Sequence, residues 1–560
     1  MEPKLLDKSL TVSGQITIAD LPQLAARGVK TLICNRPNGE GSDQPGFQEI
    51  AQAAEALGMT CHYLPVISGE VRDEDAAQFG KLLDAAQGPV HAYCRSGMRS
   101  TVLWALYEGR RRPVAEIART AKQAGYDMSG IAARINSRSD VCGSENLASY
   151  DVVIVGGGAA GIATAASLRK RNDKLSIAII DPADVHYYQP GWTLVGAGIF
   201  QPQQTARTMA SLIPRGVAWI KAAVAAFDPQ RDTVVLEGCR LIGYKRLVVA
   251  PGIKLHWEGV EGLLDTLGAN GVTSNYRFDL APYTWQLVQN LRKGRALFTQ
   301  PPMPIKCAGA PQKAMYLSAD YWTRQQRLAD IDIEFCNAGA VLFGVQDYVP
   351  ALMQYVKKYA IQLSLGHKLV KVDGPGHRAW FETAGENDTV ETVEREFDMI
   401  HVVPPQVAPD FIRASPLVNA TGWVDVEQNT LRHNQYTNIW SLGDVTSAPN
   451  AKTAAAARKQ APVVANNILA DMGLGPGVAH YDGYGACPLT VERGRVVMAE
   501  FGYGGKLLPT FPRWLVDGTR ATRLAWLLKE KVMPPLYWQG MLRGHEWLAR
   551  PEVQPAIGEG

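Results

Sequence analysis

Short apolar runs take turns with amphipathic stretches at the start of the chain. "GVKTLICN" (28–35), "MTCHYLPVI" (59–67) and "PVHAYC" (89–94) are rich in β-branched and aromatic residues and read as strands. "GFQEIAQAAEALG" (46–58) and "EDAAQFGKLLDAA" (74–86) carry their apolar residues at helical spacing. That alternation predicts a small α/β domain with a largely parallel sheet over residues 1–112. Residues 113–134 keep a helical pattern, and the polar stretch "NSRSDVCGSENLAS" (136–149) then loses all periodicity. We therefore place a helical extension and linker at 113–148, and a second, larger unit at 149–560.

The larger unit opens on "YDVVIVGGGAAGIATAASLRK" (150–170), an apolar strand, a Gly-rich turn and an Ala-rich helix. A second strand, "LSIAIID", ends at Asp181, twenty residues after Gly161. These are the parts of a dinucleotide fingerprint in their proper order. Gly156 permits the tight turn, Gly158 lets backbone approach a pyrophosphate, and Gly161 lets helix and strand pack closely. The phosphates would sit on the free N–H groups of the helix N-terminus, and Asp181 would accept ribose hydroxyls. A matching Gly-rich turn is missing at mid-chain. There the strand "GRALFTQ" (294–300) runs into "PPMPIKCAGAPQ" (301–312), whose prolines and Lys306-Cys307 make no second cradle. A nicotinamide is therefore not the expected electron partner.

Composition narrows the class. With 46% hydrophobic and 20% charged residues in 560, the chain is globular and long enough for several domains. A formal charge of +3 with no dense Lys/Arg block gives nucleic-acid binding no support. No apolar run approaches the roughly 18–20 residues that span a bilayer, and "MEPKLLDKSL" has no signal-peptide core. The eight cysteines stand at 34, 61, 94, 142, 239, 307, 336 and 487, too sparse for a disulfide scaffold and without zinc-ligand spacing, so no metal site is expected. Cys34 and Cys61 lie in strand-like runs and read as buried thiols.

From residue 149 onward the chain resembles the sulfide:quinone oxidoreductases, particularly the type of mitochondria and related bacteria. The stretches that carry the likeness are "HYYQPGWTLVGAG" (186–198), "PIKCAGAPQKAMYL" (304–317), "HVVPPQ" (401–406), "AKTAAA" (451–456) and the segment from Tyr481 to Leu489. "YKRLVVAPG" (244–252) and "NIWSLGDVTSAPN" (438–450) resemble the secondary flavin contacts of two-dinucleotide-domain flavoproteins. The resemblance implies two Rossmann-like domains and FAD, with Gly443, Asp444 and Lys452 added to the cofactor residues, and Asp444 on the ribityl chain. It implies oxidation of sulfide to sulfane sulfur on Cys307 and delivery of electrons to ubiquinone or another quinone. The physical reading of Cys307 agrees, since a neighbouring cation such as Lys306 favours the thiolate. One departure stands out. The family's second redox cysteine follows the Gly-Asp turn, and here that position is Val445. Either Cys336 or Cys487 takes over, or Cys307 works alone with an external persulfide.

The N-terminal domain resembles the tyrosine-phosphatase-like domain of the beta-lactamase-hydrolase-like family, through residues 11–40 and "YCRSGMRS" (93–100). Cysteine phosphatases place five residues between nucleophile and arginine, whereas four separate Cys94 from Arg99. The shorter loop is similar to that of rhodaneses, which hold a persulfide under a ring of backbone N–H groups. Three readings stay open: a persulfide carrier with Arg99 and Arg95 beside Cys94, a phosphatase nucleophile, or a non-catalytic regulatory module. A phosphatase would need a general acid, for which Asp73 or Asp75 stand at a helix start, and His91 reads as a packed strand residue.

The C-terminal stretch "RLAWLLKEKVMPPLYWQGMLRG" (523–544) mixes aromatic, aliphatic and cationic residues, and reads as a helix pair at a membrane surface or an interface. The expectation is therefore a fusion of a phosphatase-like α/β domain with a two-domain flavoprotein. It would oxidise sulfide or a persulfide, pass electrons to quinone, and exchange sulfane sulfur at Cys94, with a low-molecular-weight thiol as acceptor. The expected place is the cytoplasm, with peripheral attachment to the inner face of a bacterial plasma membrane, and a homodimer is allowed. An NAD(P)H-dependent persulfide or disulfide reductase is the alternative.

Overall fold

The computed structural model describes residues 2–555 apart from 42–43, 70, 110, 113, 137–147, 238–239 and 386–388. Most of the linker expected at 136–149 lies outside the described residues. The chain forms two compact units. The first holds residues 1–149 together with 223–243 and 414–416, and the second holds the remainder.

In the first unit, three strands lie parallel in the centre of a five-stranded sheet: Val90–Tyr93 between Leu10–Ser13 and Thr31–Cys34, with Thr60–Tyr63 beyond. Lys4–Asp7 closes one edge antiparallel to Leu10–Ser13. The three runs read from the sequence are all present as strands, and the N-terminal hairpin Lys4–Asp7/Leu10–Ser13 was not read. The helices Phe47–Glu55, Asp73–Ala85 and Met98–Glu108 connect the strands and cover the sheet. Helices Val114–Gln123 and Ala132–Asn136 belong to the same core, because Ile117, Ala121 and Ile135 pack with Leu103 and Leu106. The hairpin Val224–Asp228/Thr233–Leu236 adds Ala226 and Val235 to that cluster.

The second unit contains two parallel sheets. In one, Ala148–Val155 pairs with Ile177–Ile180, which pairs with Val217–Ile220, and the end of Leu241–Val249 pairs with Ile439–Ser441. The fully buried Val152, Val153 and Ile154 show why the strand reads as an unbroken apolar run: both faces are covered. In the other, Gly294–Gln300 lies between Met399–His401 and Ile331–Asn337, all parallel. A short loop leads from Gly294–Gln300 into the helix Ala310–Arg324. That helix packs on the antiparallel pair Gly485–Glu492/Arg495–Phe501, with Ala314, Met315, Cys487, Leu489 and Val497 in one cluster.

The C-terminal segment is one helical run rather than a helix pair. It begins at Arg523–Leu527, widens into π-type turns at Leu528–Val532 and Leu536–Gly540, and ends at Met541–Arg543. Trp526, Tyr537, Trp538 and Met541 are buried, while Leu524, Leu527 and Val532 are exposed. Among the described residues no helix is long and apolar enough to cross a membrane.

Candidate active site

In the second unit the Gly-rich turn has the geometry its sequence predicts. Gly156 has φ +105°, and a Cβ there would run into the Ala250 carbonyl. A Cβ at Gly161 would be driven into the Gly156 carbonyl, so only glycine lets the helix Ala159–Arg171 sit this close to its strand. Gly158, the residue preceding that helix, faces open space instead. Asp181 is tied to the turn, its Oδ2 accepting from Gly157 N at 2.6 Å and its Oδ1 from Ala183 N at 2.8 Å. Gly157, Gly158 and Asp181 border a cavity of about 500 Å³, which also reaches Cys307, Lys313, Gly443 and Asp444.

Cys307 occupies the end of the loop that leaves strand Gly294–Gln300, three residues before the helix Ala310–Arg324. Its backbone is left-handed, with φ +51°, a conformation uncommon outside glycine and asparagine. Partners on three sides hold it there. Cys307 N donates to Lys452 O at 2.8 Å, and the Tyr276 hydroxyl donates to Lys306 O at 3.0 Å and Cys307 O at 3.2 Å. The half-buried thiol lies 3.4 Å from Cys487 Sγ, and Lys313 Nζ donates to it at 3.1 Å.

The electrostatics favour a thiolate on Cys307. The hydrogen bond from Cys487 holds it well below the free-thiol range; burial opposes, and Lys313 and Lys529 add to the lowering. Its proximity to a helix N-terminus acts in the same direction. Cys487 moves the other way, pushed up by its bond to Cys307 and by burial. Burial lowers Lys313, yet the two sulfurs outweigh it and the net shift is upward. Lys529 is buried with Nζ on the Pro190 carbonyl at 3.2 Å, and burial with Lys313 nearby lowers it to about 7.

These contacts correct the choice of cation. Lys306, adjacent in sequence, donates to Gln189 Oε1 at 2.7 Å and lies over the rings of Trp192 and Tyr276. Its main chain bridges to Lys452, and its ammonium feels the charge of Cys307 without a hydrogen bond to the sulfur. Lys313, in the first turn of the following helix, makes that contact instead. Cys336 packs among Leu297, Phe381 and Ile400 and is raised by burial, as a core thiol is. Val445 is fully buried.

The Gly443-Asp444 turn borders the same cavity. Gly443 has φ +78° and its N–H donates to Gln460 Oε1 at 2.8 Å. Lys452 stitches the turn from behind, Nζ donating to Asp444 O at 2.7 Å and Thr446 O at 2.8 Å. Burial pushes the Asp444 carboxyl up while Lys452 opposes, and burial lowers Lys452 to about 8. The buried amide of Asn275 borders the cavity with no hydrogen-bond partner at either atom, an outlet for a polar ligand.

In the first unit, Cys94 ends the strand Val90–Tyr93 and is buried, its Sγ accepting from Gly97 N at 3.1 Å. Arg99 is buried, donates to Val66 O and to Glu40 Oε2, each at 2.7 Å, and interacts with Cys94. Arg36 reaches the same carboxylate oxygen at 2.8 Å, and the bond from Arg99 leads the lowering of Glu40. Arg95 is exposed. His91 bonds Thr11 and Ser13 at 2.9 Å each and is lowered by burial to about 4, so it is a packed strand residue. Asp75 accepts from Arg72 N at 2.9 Å as a helix-start group, and Asp73 pairs with Arg134. Glu40, Lys313 and Lys529 are the site residues sequence reasoning missed. Only Lys313 left a signal, since it lies six residues past Cys307 within "PIKCAGAPQK".

A Gly-rich dinucleotide turn, a second parallel sheet without such a turn, and a lysine-held cysteine at its strand end together define a flavoprotein of the two-dinucleotide-domain class. Residues 150–289 match the pyridine nucleotide-disulphide oxidoreductase family, and residues 3–110 match the beta-lactamase hydrolase-like protein, phosphatase-like domain. The mitochondrial sulfide:quinone oxidoreductase of Dictyostelium discoideum is 40% identical over 403 residues, 71% of this chain and 87% of that protein. The chain belongs to the sulfide:quinone oxidoreductase family. Its N-terminal part is 35% identical over 130 residues to the beta-lactamase hydrolase-like protein of Agrobacterium fabrum, 23% of this chain and 30% of that protein. The solved sulfide:quinone oxidoreductase of Aquifex aeolicus shares the fold, with a TM-score of 0.59 at 19% identity, covering 74% of this chain and all of that one.

The family is FAD-dependent. The residues present fit that group: Gly158 opens onto the cavity, Gly156 and Gly161 tolerate no side chain, and Asn275 offers an unpartnered amide. Gly156, Gly158, Gly161 and Asp181 would hold the pyrophosphate and ribose, and Asp444 the ribityl chain.

Proposed function

We propose that the second unit oxidises sulfide, or a persulfide, to sulfane sulfur carried on Cys307, with electrons passing through FAD to a quinone. The observation that carries this reading is the Cys307 thiol, held 3.1 Å from Lys313 Nζ on the wall of the cavity that the dinucleotide turn also borders. FAD, when bound, supplies a two-electron acceptor between the sulfur chemistry and the quinone. The chain's own residues do the rest. Lys313 and Lys529 keep an anionic sulfur at position 307 stable, and the helix N-terminus adds to their field. Lys452 and Tyr276 hold the backbone of the Cys307 loop in place. A low-molecular-weight thiol then removes the sulfane sulfur. Anaerobic addition of sulfide should bleach the flavin of the wild type and leave that of Cys307→Ser unbleached. Rapid bleaching by NADH but not by sulfide would overturn the reading in favour of a nicotinamide-dependent reductase.

In the first unit Cys94 accepts or supplies sulfane sulfur. Glu40 supports this over a phosphatase, because its carboxylate takes one terminal nitrogen of Arg99 and Val66 O takes the other, the pair that a phosphate dianion would need. Four residues between Cys94 and Arg99 favour the same choice. Transfer of sulfur from thiosulfate to cyanide, lost in Cys94→Ser, tests it; hydrolysis of a phosphotyrosine mimic without sulfur transfer would reverse the choice.

The exposed apolar residues Trp514, Leu515, Leu524, Leu527 and Val532, with the exposed cations Arg513, Arg520 and Lys531, suit peripheral contact with a membrane that stores quinone. For a bacterial cell the reading is attachment to the cytoplasmic face. Leu527→Glu with Trp514→Glu should weaken co-sedimentation with vesicles; undiminished binding would sink the contact.

A further inference from the structure

The residue after the Gly443-Asp444 turn is the buried Val445, which offers no thiol, yet the thiol of Cys307 is not alone. Cys487 arrives from a different part of the chain, on the strand Gly485–Glu492, opposite Ala499 of the neighbouring strand. Its Sγ stands 3.4 Å from Cys307 Sγ, close enough that a small rotation of one side chain brings the two to bonding distance. The room for it is built in. A Cβ on Gly309 would come within 2.5 Å of the Cys487 sulfur, so glycine at the start of the helix makes space for this thiol. Leu489 and Met315 of the surrounding apolar cluster hold the strand and helix that carry the two cysteines. The other candidate, Cys336, is enclosed by Leu297, Phe381 and Ile400 in a separate cluster.

We infer that Cys487 is the second redox cysteine of this chain, closing a disulfide with Cys307 that hydrosulfide then opens. This rests on the sulfide-oxidising reading above. In the oxidising half, the two thiols give up two electrons and two protons to the quinone, leaving one Cys307–Cys487 disulfide and one quinol. In the sulfur-taking half, hydrosulfide attacks Cys307 Sγ, the half-buried sulfur on the cavity wall, and the Cys307–Cys487 bond breaks. Cys307 then carries the persulfide. Its proton passes to the departing Cys487 sulfur, which buried surroundings favour as the neutral thiol. The persulfide anion remains against Lys313. An acceptor thiolate attacks the outer sulfur, takes it as a new persulfide, and releases Cys307 as thiolate for the next oxidation. Val445 is then no defect, because the partner function sits at 487.

The test is non-reducing peptide mapping by mass spectrometry on the full-length, flavin-loaded enzyme. Separate samples are oxidised with decylubiquinone or with diamide and then exposed to one equivalent of hydrosulfide. The expected result is a peptide pair linking Cys307 to Cys487, lighter than its free parts by two hydrogens. Hydrosulfide should dissolve the link and leave one added sulfur on the Cys307 peptide. Cys487→Ser should give no link, and its Cys307 should react with iodoacetamide after either oxidant. Free thiols at both positions after diamide, a Cys307–Cys336 link, or a link indifferent to hydrosulfide would each overturn the inference. The two readings fail separately. If sulfide reduces quinone but no link forms with either oxidant, the Cys487 role falls and sulfide oxidation stands. A diamide link that hydrosulfide opens, in an enzyme that reduces no quinone, preserves the pair and sinks the quinone reaction.

Discussion

Lys313 Nζ donates to Cys307 Sγ at 3.1 Å from the first turn of the helix that the cysteine precedes. A cation so placed lowers the thiol's proton affinity directly. Lys313→Met should therefore move the midpoint of the Cys307 alkylation rate, read with iodoacetamide, upward by about one pH unit, the value of a ~1.4 kcal/mol charge interaction. The sign has a stability counterpart. A thiol held below its free value adds stability above that free value, and the gain disappears as pH falls through the folded one. An unshifted alkylation profile would show that the lysine does not set the thiolate.

Lys529 works in the opposite sense. Burial lowers it from 10.5 to about 7, so between those values the unfolded chain binds a proton that the folded chain does not, and stability rises with pH. Below about pH 7 the full penalty applies. Lys529→Met should raise the Tm near pH 6 by a few degrees, at roughly 1 °C per kcal/mol for a unit this large with about 2.1 cal/mol/K of unfolding entropy per residue, and by progressively less towards pH 10. A constant gain across that range would contradict a buried lysine with a lowered pKa.

Gly161→Ala puts a methyl group into the Gly156 carbonyl, which cannot move without displacing the turn. Overpacking of this kind costs about 1–3 kcal/mol. The expected outcome is a lower Tm together with a reduced ratio of flavin to protein absorbance. Full flavin occupancy would show that the helix can shift away without opening the cradle.

Glu40 neutralises the buried Arg99 and also binds Arg36. Glu40→Gln leaves two cations facing a neutral amide and should destabilise the first unit by about 1–3 kcal/mol, since the carboxylate is partly solvated. Limited proteolysis reads that loss. Cys94→Ser, by contrast, removes sulfur transfer while sulfide still bleaches the flavin; slower bleaching would mean that the two cysteines are coupled before electron transfer.

Much of the frame was legible because it is local. Strand, glycines, helix and terminal Asp181 follow one another within about a single βαβ unit, and Gly161 is dictated by the Gly156 carbonyl five residues before it. The loop of Cys94 was legible for the same reason, since Gly97 and Arg99 lie within five residues of it. Adjacency pointed to Lys306, which does feel the charge of Cys307 but hydrogen-bonds Gln189, whereas the cation bonded to the thiol is Lys313 from the following helix.

The strand–turn–helix of the dinucleotide fold and the place of Cys307 in the loop after a strand were legible in the sequence itself, because propensity, turn chemistry and helix periodicity act over a handful of residues. What only the tertiary structure decided is which groups meet there. Cys487 stands 180 residues from Cys307, and Lys529 is brought near from the C-terminal helical run. No local pattern encodes those encounters. They arise because the helix Ala310–Arg324 must bury its apolar face on the strand Gly485–Glu492, and that packing sets one sulfur beside the other.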